Sequence, residues 1–595
     1  FASDPDKGHV LANLRIAAGL EEGEFVGTHW QDAWLYKWLE AASAVHGVTP
    51  DPALDRLMDE AVELIGRAQQ PDGYIATQTI VRGWDRFQMP QHHELYTMGH
   101  LITAACIHHR ITGKTSFLEV ARRVADHACG IFEGKSPQMA HFPSNPSIIM
   151  GAVELYRTTR DHRYLDLANN IIDMRGAFDG GQGDDIQDRV PLREEQSVVG
   201  HAVRYTYLYA GAADVVLETG DPALLDALER LWRDLTETKM YITGGCCALH
   251  HGLSAREGRR GDFVHEAAGA PYELPSATAY NETCAQVGVF LWGWRMLALT
   301  GDARYADVME REMYNGFLPG IGLAGTDFFY TNPLRWHGHD QILLSSDTLQ
   351  RHQPGGESRI CCPTNVLRSI AEMHGYFYGL SDAGLWVHQY GGSVFDAGEI
   401  RLEQDTCYPW DGAIRLRVDR APDRGLTIRL RIPEWAQGAS AELNGRPVDA
   451  EVQPGSYLAI DRPWAEGDEI LLDLPMGVRM MEAHPRSEEL RNQVAIMRGP
   501  LVYCLESIDL PDGVKVEEVV VPRDADLTPR HDPDLLGGVT ALEGQARRRR
   551  AGDWSGQLYR EAAPLEPETI RIKLIPYYAW NNRGVPEMTV WLPVA

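Results

Sequence analysis

Apolar residues recur at helical spacing through the first 380 positions of the chain. In the segment 30–45, for example, Trp34 and Trp38 lie four residues apart and so share one face of a predicted helix. The same pattern predicts helices over the segments 53–68, 94–112, 116–130, 147–159, 163–174, 198–218, 222–236, 277–299, 303–314 and 364–379. The N-terminal part is therefore predicted to be helical, with little strand between the helices.

Short turn motifs recur between these predicted helices, and they indicate a repeat. They are Thr112-Gly113-Lys114, Thr159-Arg160-Asp161, Thr219-Gly220-Asp221 and Thr300-Gly301-Asp302. In each one a helix can end at the middle residue, and the Asp of the last three can cap the helix that follows. Repeated helix–turn–helix units are typical of an open solenoid or a closed (α/α)6 toroid.

We favour the toroid of six hairpins because it gives the long irregular inserts a common place. The inserts at 70–92, 240–276 and 316–362 can all lie over one mouth of a toroid, whereas an open solenoid has no reason to concentrate them. An irregular helical domain with ordinary loops is the alternative.

After Gly379 the apolar period changes from helical to alternating. Alternation over 385–390, 413–418 and 426–432 predicts half-buried strands. Further strands are predicted at 457–460, 469–474, 493–504, 570–575 and 588–592, and Asn444-Gly445 predicts a hairpin. This part is predicted to form antiparallel β-sandwiches. We expect a multidomain α-then-β chain, with an (α/α)6 toroid over 1–380, a β-sandwich over 381–485 and a second one over 486–595.

Composition and charge narrow the class of partner. A chain of 595 residues is too long for one core, and its 44% hydrophobic and 24% charged content is ordinary for a globular protein. No apolar run is long enough to span a bilayer. The formal charge of −28 argues against nucleic acid or an anionic membrane as a partner and favours a neutral substrate.

Cysteine usage indicates the compartment. The nine cysteines are odd in number and irregularly spaced, which favours free thiols or metal ligation over a disulfide framework. That indicates a reducing compartment such as the cytoplasm. The chain begins at Phe1 without a Met, so a removed leader remains open.

Four residues from two short segments have the number and type of ligands that one tetrahedral zinc needs. They are Glu282, Cys284, Cys361 and Cys362. Zinc prefers sulfur and imidazole and tolerates one carboxylate. A Glu ligand and an adjacent Cys pair are unusual for a purely structural site, so the set indicates a working centre. A structural zinc, or simply buried thiols, are the alternatives.

Other residues extend this candidate chemistry. Cys246 and Cys247, close to His250 and His251, form a competing candidate for metal. Glu266 is a carboxylate outside the predicted ligand set. A cysteine thiolate with a separate glutamic acid permits retaining glycoside hydrolysis, although the usual nucleophile is a carboxylate. Histidines at 92, 93, 100 and 201 suit a hydroxyl-rich ligand, and each has an ordinary structural interpretation as well.

The chain resembles glycoside hydrolase family 127, the β-L-arabinofuranosidase family, at motifs that span most of its length. They are His93-Glu94-Leu95-Tyr96 with Gly99-His100, Gly200-His201-Ala202-Val203-Arg204, Met240-Tyr241-Ile242-Thr243-Gly244-Gly245, Tyr272-Glu273-Leu274-Pro275, Tyr280-Asn281-Glu282-Thr283-Cys284, Cys361-Cys362-Pro363, Gly499-Pro500-Leu501-Val502-Tyr503 and Tyr577-Tyr578-Ala579-Trp580-Asn581-Asn582-Arg583-Gly584.

The resemblance implies a fold, a metal and roles for particular residues. It implies an (α/α)6 barrel followed by β-sandwich domains. It makes Cys361 the nucleophile and Glu266 the acid/base, and it places Zn²⁺ on Glu282, Cys284, Cys361 and Cys362. His93 and His201 match histidines that line the sugar pocket of the family.

The chain departs from the family pattern on the predicted substrate wall. Asn145, in Ser144-Asn145-Pro146, stands where the family commonly has a sugar-facing His. Cys246-Cys247 follow Thr243-Gly244-Gly245 in place of the family's Ile-Gly, and an insert runs from about Leu253 to Val264.

The resemblance thus implies a retaining exo-glycosidase that releases a terminal pentofuranose, most simply β-L-arabinofuranose, from a small oligosaccharide or glycoconjugate. Another unusual sugar, such as a branched pectic acid sugar, stays open, as does a homodimer. A non-catalytic carbohydrate-binding protein with structural zinc is one alternative function. A polysaccharide lyase or an epimerase, which also use α/α toroids, is the other.

Overall fold

A computed structural model describes residues 9–178, 181, 183–253, 263–338, 361–550, 552, 554, 556–561 and 568–595. The helices are α1 (Val10–Ala17), α2 (Asp32–Val48), α3 (Pro52–Ala68), α4 (Thr77–Arg82), α5 (Glu94–Thr112), α6 (Ser116–Phe132), α7 (Ser147–Thr159), α8 (His162–Met174), α9 (Ala202–Thr219), α10 (Pro222–Thr238), α11 (Thr283–Thr300), α12 (Ala303–Arg311) and α13 (Cys361–Ala371). None of the helices in these ranges is both long enough and apolar enough to cross a membrane.

The recurring turn motifs end and begin helices as predicted. Gly113, Arg160, Gly220 and Gly301 each adopt a positive φ immediately after a helix. Three aspartates then cap the next helix by accepting hydrogen bonds from its first backbone N–H groups. The aspartates are Asp161, Asp221 and Asp302. The repeat in the sequence is therefore a repeat of helix-ending and helix-capping chemistry.

Helix starts near the later site were predicted less well. The helix predicted over 277–299 begins only at Thr283, because Asn281 takes a positive φ and Glu282 has the extended backbone of an N-cap. The helix predicted over 364–379 begins at Cys361 and ends at Ala371. Pro363 therefore lies in the first turn of α13, where its missing N–H costs nothing, and the helix continues past it.

The longer helices pack in a regular order. α2 packs against α5, α5 against α7, α7 against α9, α9 against α11, α11 against α13, and α13 against α2. Each of α3, α6, α8, α10 and α12 packs against the helix that precedes it in the chain. Each helix of this second set runs back along its partner, so the helices of the first set all begin at the same end of the bundle.

The strands of the second half are as follows, with three short ones in the loops of the helical part. They are β1 (Leu249–Leu253), β2 (Phe263–Ala267), β3 (Arg335–Trp336), β4 (Tyr378–Ser381), β5 (Gly384–Val387), β6 (Ser393–Asp396), β7 (Arg401–Thr406), β8 (Ala413–Arg420), β9 (Leu426–Ile432), β10 (Ser440–Leu443), β11 (Arg446–Pro447), β12 (Ser456–Arg462), β13 (Glu469–Asp473), β14 (Val478–Met481), β15 (Gln493–Arg498), β16 (Leu501–Glu506), β17 (Val519–Val520), β18 (Thr528–Asp532), β19 (Val539–Arg548), β20 (Glu568–Pro576), β21 (Met588–Thr589) and β22 (Trp591–Pro593).

Two sheets of the middle region share one core. One has the order β11-β10-β13-β8-β7-β6 and the other β12-β9-β5-β4. Buried residues from both sheets, such as Leu416 of β8 and Leu430 of β9, belong to one hydrophobic cluster. The Asn444-Gly445 turn joins β10 to β11 as the sequence predicts. Pairing is antiparallel except between β5 and β9, which run parallel.

The C-terminal strands form a larger sheet. Its main path is β14-β15-β16-β20-β19-β17, with β18, β21, β22 and β3 paired along its flanks. Strand β3 belongs to the loops of the helical part, so the sheet reaches across to them through the pairing of Met588 with Trp336. The segment predicted as one strand over 493–504 is a hairpin, since β15 and β16 are antiparallel neighbours.

A buried ion cluster fastens the middle sheets to the helical part. Arg431 of β9 is fully buried, and its guanidinium lies 2.6 Å from Asp307 Oδ1 and 2.6 Å from Glu310 Oε1, both on α12. Its Nε also donates to the carbonyl of His388 at 2.6 Å. Because none of these charges reaches water freely, each depends on the others for compensation.

We expect Arg431→Met to destabilise the protein by about 3–5 kcal/mol, because it leaves two buried carboxylates without a counter-charge. Chemical denaturation followed by tryptophan fluorescence measures the change. Arg424→Met is the control, since the Arg424–Glu399 pair is exposed and worth about 1 kcal/mol at most. An unfolding midpoint for Arg431→Met equal to that of the control would contradict the assignment.

Candidate active site

The predicted site residues lie where the inner helices begin. Cys361 starts α13, Glu282 is the N-cap of α11, His201 that of α9 and His93 that of α5. Asn145 lies two residues before α7. These helices start at one end of the bundle, so their unpaired N–H groups and positive dipole ends face one region.

Three residues at or next to the site have a backbone with positive φ, a conformation that non-glycine residues rarely adopt. Glu266, Asn281 and His93 have φ of 51°, 38° and 58°. Non-glycine residues in the left-handed region cost free energy and are held there by their surroundings, most often at functional sites. For Glu266, the conformation occurs at a position inside strand β2.

Three thiols and one carboxylate form a tight cluster. Cys284 Sγ lies 3.3 Å from Cys362 Sγ, and Cys361 Sγ lies 3.9 Å from Cys362 Sγ. Glu282 Oε1 lies 3.7 Å from Cys361 Sγ and 3.8 Å from Cys362 Sγ. All four ligand atoms are within 4.8 Å of one another.

These distances fit a single tetrahedral ion. Four sulfur-type ligands at about 2.3 Å from a tetrahedral zinc lie about 3.8 Å from each other, close to the spacing found here. Glu282 is buried, and its second oxygen, Oε2, has no hydrogen-bond partner within the described part of the chain. The donor set could therefore hold a soft divalent cation.

The pKa shifts of the four ligands also favour a bound cation. Burial raises the pKa of Cys284 and of Cys362, and burial together with the charge of Glu266 raises the pKa of Glu282. These groups resist ionising together unless a cation compensates them. Hydrogen bonds from Cys284 and Cys362 instead hold the pKa of Cys361 well below the ordinary thiol value, and the ammonium of Lys37 acts in the same direction.

Lys37 places a positive charge beneath the cluster. Its side chain is fully buried on α2, and its Nζ donates to the hydroxyl of Tyr96 at 2.7 Å. Burial lowers the pKa of Lys37, and the negative charge of the nearby thiols opposes that effect. A hydrogen bond to a neutral hydroxyl leaves the ammonium with net charge to offer to the cluster.

The competing thiol pair lies next to the cluster, with the Cys247 thiol close to the backbone N–H of Glu282. Cys246 and Cys247 are buried, and burial raises the pKa of both. The hydrogen bonds of Cys247 Sγ run to the carbonyls of Leu249 and Ala267. Among the described side chains, the grouping that could hold a metal is Glu282, Cys284, Cys361 and Cys362.

Glu266 is held by hydrogen bonds from three sides. His201 Nε2 lies 2.9 Å from Oε2, and the Tyr280 hydroxyl donates to Oε1 at 2.8 Å. The hydroxyl of Tyr330 reaches Oε1 at 3.4 Å. Burial alone would raise the pKa of Glu266, but the charge and hydrogen bond of His201 outweigh it and hold the pKa below its ordinary value.

Tyr330 connects this carboxylate to the thiol cluster. Its hydroxyl is 3.8 Å from Cys361 Sγ and 3.4 Å from Glu266 Oε1. Cys361 is the half-buried cysteine of the cluster, whereas Cys284 and Cys362 are buried. A thiol, a hydroxyl and a carboxylate therefore follow one another, with a half-buried residue at each end and the buried Tyr330 between them.

Buried polar atoms without partners occur at the other predicted site residues. Within the described ranges, His93 Nδ1, His201 Nδ1 and Asn145 Oδ1 make no hydrogen bond. Burial and the charge of Arg204 lower the pKa of His93 to about 3, so its imidazole is neutral. A neutral ring and an amide can exchange hydrogen bonds with hydroxyl groups, and their empty bonding positions are what a polyhydroxylated ligand would fill.

Part of the predicted substrate wall lies outside the described residues. The loop expected over the mouth from 316 to 362 is described only to residue 338 and from 361, and residues 254–262 of the insert before Glu266 are likewise not described. The ends of that insert form the hairpin of β1 and β2, which carries Glu266.

Comparisons with known proteins match this architecture along the whole chain. The model of the β-L-arabinofuranosidase GH127 catalytic domain matches residues 4–375, that of the GH127 middle domain residues 384–476, and that of the family 127 C-terminal domain residues 478–593. A non-reducing end β-L-arabinofuranosidase of Bifidobacterium longum subsp. longum is 35% identical, over 98% of this chain and 92% of the relative.

Solved structures agree. A GH127 β-L-arabinofuranosidase of Geobacillus stearothermophilus T6 superposes with a TM-score of 0.89 at 38% identity, covering 99% of this chain and 94% of that one. Another GH127 β-arabinofuranosidase gives a TM-score of 0.87 at 33% identity, covering 99% and 92%.

The chain belongs to glycoside hydrolase family 127. The predicted resemblance is thereby confirmed, and so is the prediction that the chain is a glycosidase of this family. The helical region followed by β-sheets is confirmed as well.

Sequence reasoning missed two residues of this family 127 site. Tyr330 ends the aromatic run Phe328-Phe329-Tyr330, which reads as core. Lys37 interrupts the apolar face of α2 with a charge, and that interruption was the available signal. Neither residue lies near the Cys or Glu motifs in sequence.

We expect the family 127 chain to bind one zinc per molecule and Cys284→Ser to lose most of it, because a neutral hydroxyl replaces a soft thiolate ligand. Metal analysis of the purified protein, with a thermal melt before and after chelation, measures both. Cys407→Ser is the matched control, since Cys407 is exposed and outside the cluster. Full metal content in Cys284→Ser would contradict the ligand assignment.

Proposed function

We propose that this chain is a retaining exo-glycosidase that releases terminal β-L-arabinofuranose, with Cys361 as the nucleophile and Glu266 as the acid/base. The observation that carries the proposal is the succession of contacts from Cys361 Sγ through the Tyr330 hydroxyl to Glu266 Oε1. Of the three clustered thiols, Cys361 belongs to the half-buried residue, and the other two residues are buried. The activity named for the Bifidobacterium longum relative supports the choice of sugar.

We propose zinc as the ion held by Glu282, Cys284, Cys361 and Cys362. When bound, zinc would keep the thiol of Cys361 deprotonated at neutral pH. Lys37 supports the same state, because its buried positive charge lowers the cost of negative charge on the neighbouring thiols.

The first step forms a bond between Cys361 Sγ and the anomeric carbon while the bond from that carbon to the leaving oxygen breaks. Glu266 gives its proton to the leaving oxygen. In the second step Glu266 takes a proton from water, the water oxygen bonds to the anomeric carbon, and the bond to sulfur breaks. Two displacements restore the original anomeric configuration.

Glu266 needs a proton before the first step, because its pKa is low in the free site. His201 Nε2, at 2.9 Å from Oε2, is placed to supply it. Tyr280 and Tyr330 orient the other oxygen, Oε1, so that the carboxyl group keeps one fixed position in both steps.

The charge of the pocket favours a neutral sugar over an acidic one. Arg204, the guanidinium near His93, is already paired with Asp185. Lys37 lies beneath the thiols and is fully buried. An acidic sugar would bring a carboxylate to a site whose nearby cations are committed, and the neutral imidazole of His93 offers no charge to it.

The same proposal includes an architecture and a setting. The order of helix contacts, which returns from α13 to α2, supports an (α/α)6 toroid for 1–380. The shared core of two sheets supports a β-sandwich for 381–485, and we propose a second for 486–595. The pairing of β14 with β15 and the matched ranges 384–476 and 478–593 favour a boundary near 477.

Nine free thiols support a reducing compartment such as the cytoplasm, and a homodimer stays a prediction.

We expect 4-nitrophenyl β-L-arabinofuranoside to be cleaved with retention and Cys361→Ser to lower kcat/KM by about a thousandfold or more. Glu266→Gln should lower kcat by about a hundredfold or more, because the second step loses its base, whereas the nitrophenolate still leaves without an acid in the first step. Nitrophenolate release gives the rate, and proton NMR of the first sugar released gives the anomer. Cys407→Ser should keep full activity.

A sugar adduct on Cys361 in a peptide digest of Glu266→Gln would support the nucleophile directly. Near-normal turnover by Cys361→Ser would show that another group attacks. Binding of arabinofuranosides without any cleavage would instead favour the carbohydrate-binding alternative, and an unsaturated product absorbing in the ultraviolet would indicate a lyase.

A further inference from the structure

A cavity of about 400 Å³ lies in the half of the helical part where the inner helices end. Its outer wall includes residues near the C-termini of α5, α7, α9 and α11, namely Ile111, Arg157, Leu217 and Ala298. Ile111 and His374 are exposed, so the cavity opens to solvent there. The thiol cluster lies at the starts of the inner helices, so this opening is separate from the candidate active site.

The direction of the inner helices favours positive charge at this opening. The helices α2, α5, α7, α9, α11 and α13 end around it, and a helix C-terminus carries about half a negative charge and unpaired carbonyl groups. The arginines of the wall already pair with carboxylates at 2.6–2.9 Å. The pairs are Arg110 with Glu154, Arg157 and Arg295 with Asp214, and Arg368 with Glu40.

Glu372 is the carboxylate of the wall that lacks such a pair. It directly follows α13, and its Oε1 is buried without a hydrogen-bond partner among the residues that the structure describes. Its Oε2 accepts one long hydrogen bond, 3.5 Å, from the hydroxyl of Tyr376. Oε2 of Glu40, a residue 1% exposed, also has no partner in those ranges. Burial and the charge of Glu40 raise the pKa of Glu372, because the two carboxyl groups share the single counter-charge of Arg368.

The remaining wall is partly aromatic and apolar. Trp294 and Tyr376 line it, with ring centroids 5.1 Å apart, and so do Leu291 and Met150. Aromatic rings attract cations. At the inner end, Nε2 of His100 is buried and has no partner within the described part of the chain. A bare metal ion would leave most of this volume empty, whereas small molecules occupy pockets of about 300–1,000 Å³.

We propose that this cavity binds a small organic cation, an ammonium group on a short aliphatic body, with the ammonium held by Glu372 and Glu40. An ammonium brings three hydrogen-bond donors and one positive charge to two unpartnered carboxyl oxygens that lack one counter-charge. The aliphatic body then lies against Leu291 and Trp294. As the cation enters, Glu372 releases its proton to solvent, and its carboxylate pairs with the ammonium. This inference does not depend on the proposed glycosidase function.

The experiment measures binding of 1-aminobutane, which is protonated at neutral pH, to the full chain as purified, by isothermal titration calorimetry. 1-Butanol is the neutral probe of similar size. We expect one amine to bind per chain and 1-butanol to bind at least about tenfold more weakly, because the alcohol offers no charge to Glu372. Glu372→Gln should weaken binding of the amine by at least about tenfold for the same reason.

Three further variants locate the binding site. Glu399→Gln removes an exposed carboxylate of the middle region and should bind the amine like the wild type. Glu266→Gln should do so as well, because Glu266 lies at the other end of the inner helices. Ala298→Trp adds a large side chain at an exposed position of the outer wall and should block entry without disturbing the core. It carries the test if Glu372→Gln does not fold.

Absence of saturable amine binding to the wild-type protein would overturn the proposal. Equal affinities for the amine and the alcohol would show an apolar cavity without selection for charge. Unchanged amine binding by Glu372→Gln and Ala298→Trp would place the amine elsewhere, and loss of binding in Glu266→Gln alone would place it at the active site. Each of these results overturns the proposal.

Discussion

The concentration of acidic side chains in one poorly hydrated space is the constraint on which the site depends. Cys284, Cys361, Cys362, Glu282 and Glu266 lie in a connected cluster, and burial opposes ionisation of each one. Several positive groups oppose this accumulation of negative charge. They are the N-termini of α11 and α13, the ammonium of Lys37 and the imidazole of His201 beside Glu266. A divalent cation would complete the charge balance, and both the donor distances and the burial of the ligands fit such a cation.

Two tyrosine hydroxyls position Glu266 within this site. Tyr330 lies between the thiol and the carboxylate, and Tyr280 lies between the carboxylate and the β1–β2 hairpin. Being neutral, they can hold Glu266 in place without fixing its charge. The carboxyl group can therefore lose and regain a proton at one position, which a double displacement requires.

Much of the frame was predictable, because local chemistry acts over a few residues. The turns at Gly113, Gly220 and Gly301 and the caps at Asp161, Asp221 and Asp302 follow from backbone preference and hydrogen bonding within one turn. Predictions failed where a long-range contact overrides the local pattern. The apolar run before residue 283 suggests helix, yet Asn281 and Glu282 are held out of it, and the backbone of Asn281 donates to the carbonyl of Cys247.

The sequence by itself determined which chemical groups are present and where helices can start, since these depend on residue type and short-range pattern. Its few cysteines and their grouping with Glu282 were enough to predict a ligand set. Only the tertiary structure decided that Cys361 is half-buried while Cys284 and Cys362 are buried. It also decided that Lys37 and Tyr330 lie beside the cluster, because each arrives from a distant segment and proximity between segments follows from packing. Accessibility and charge compensation are properties of the packed chain, and those properties separate a proposed nucleophile from the thiols beside it.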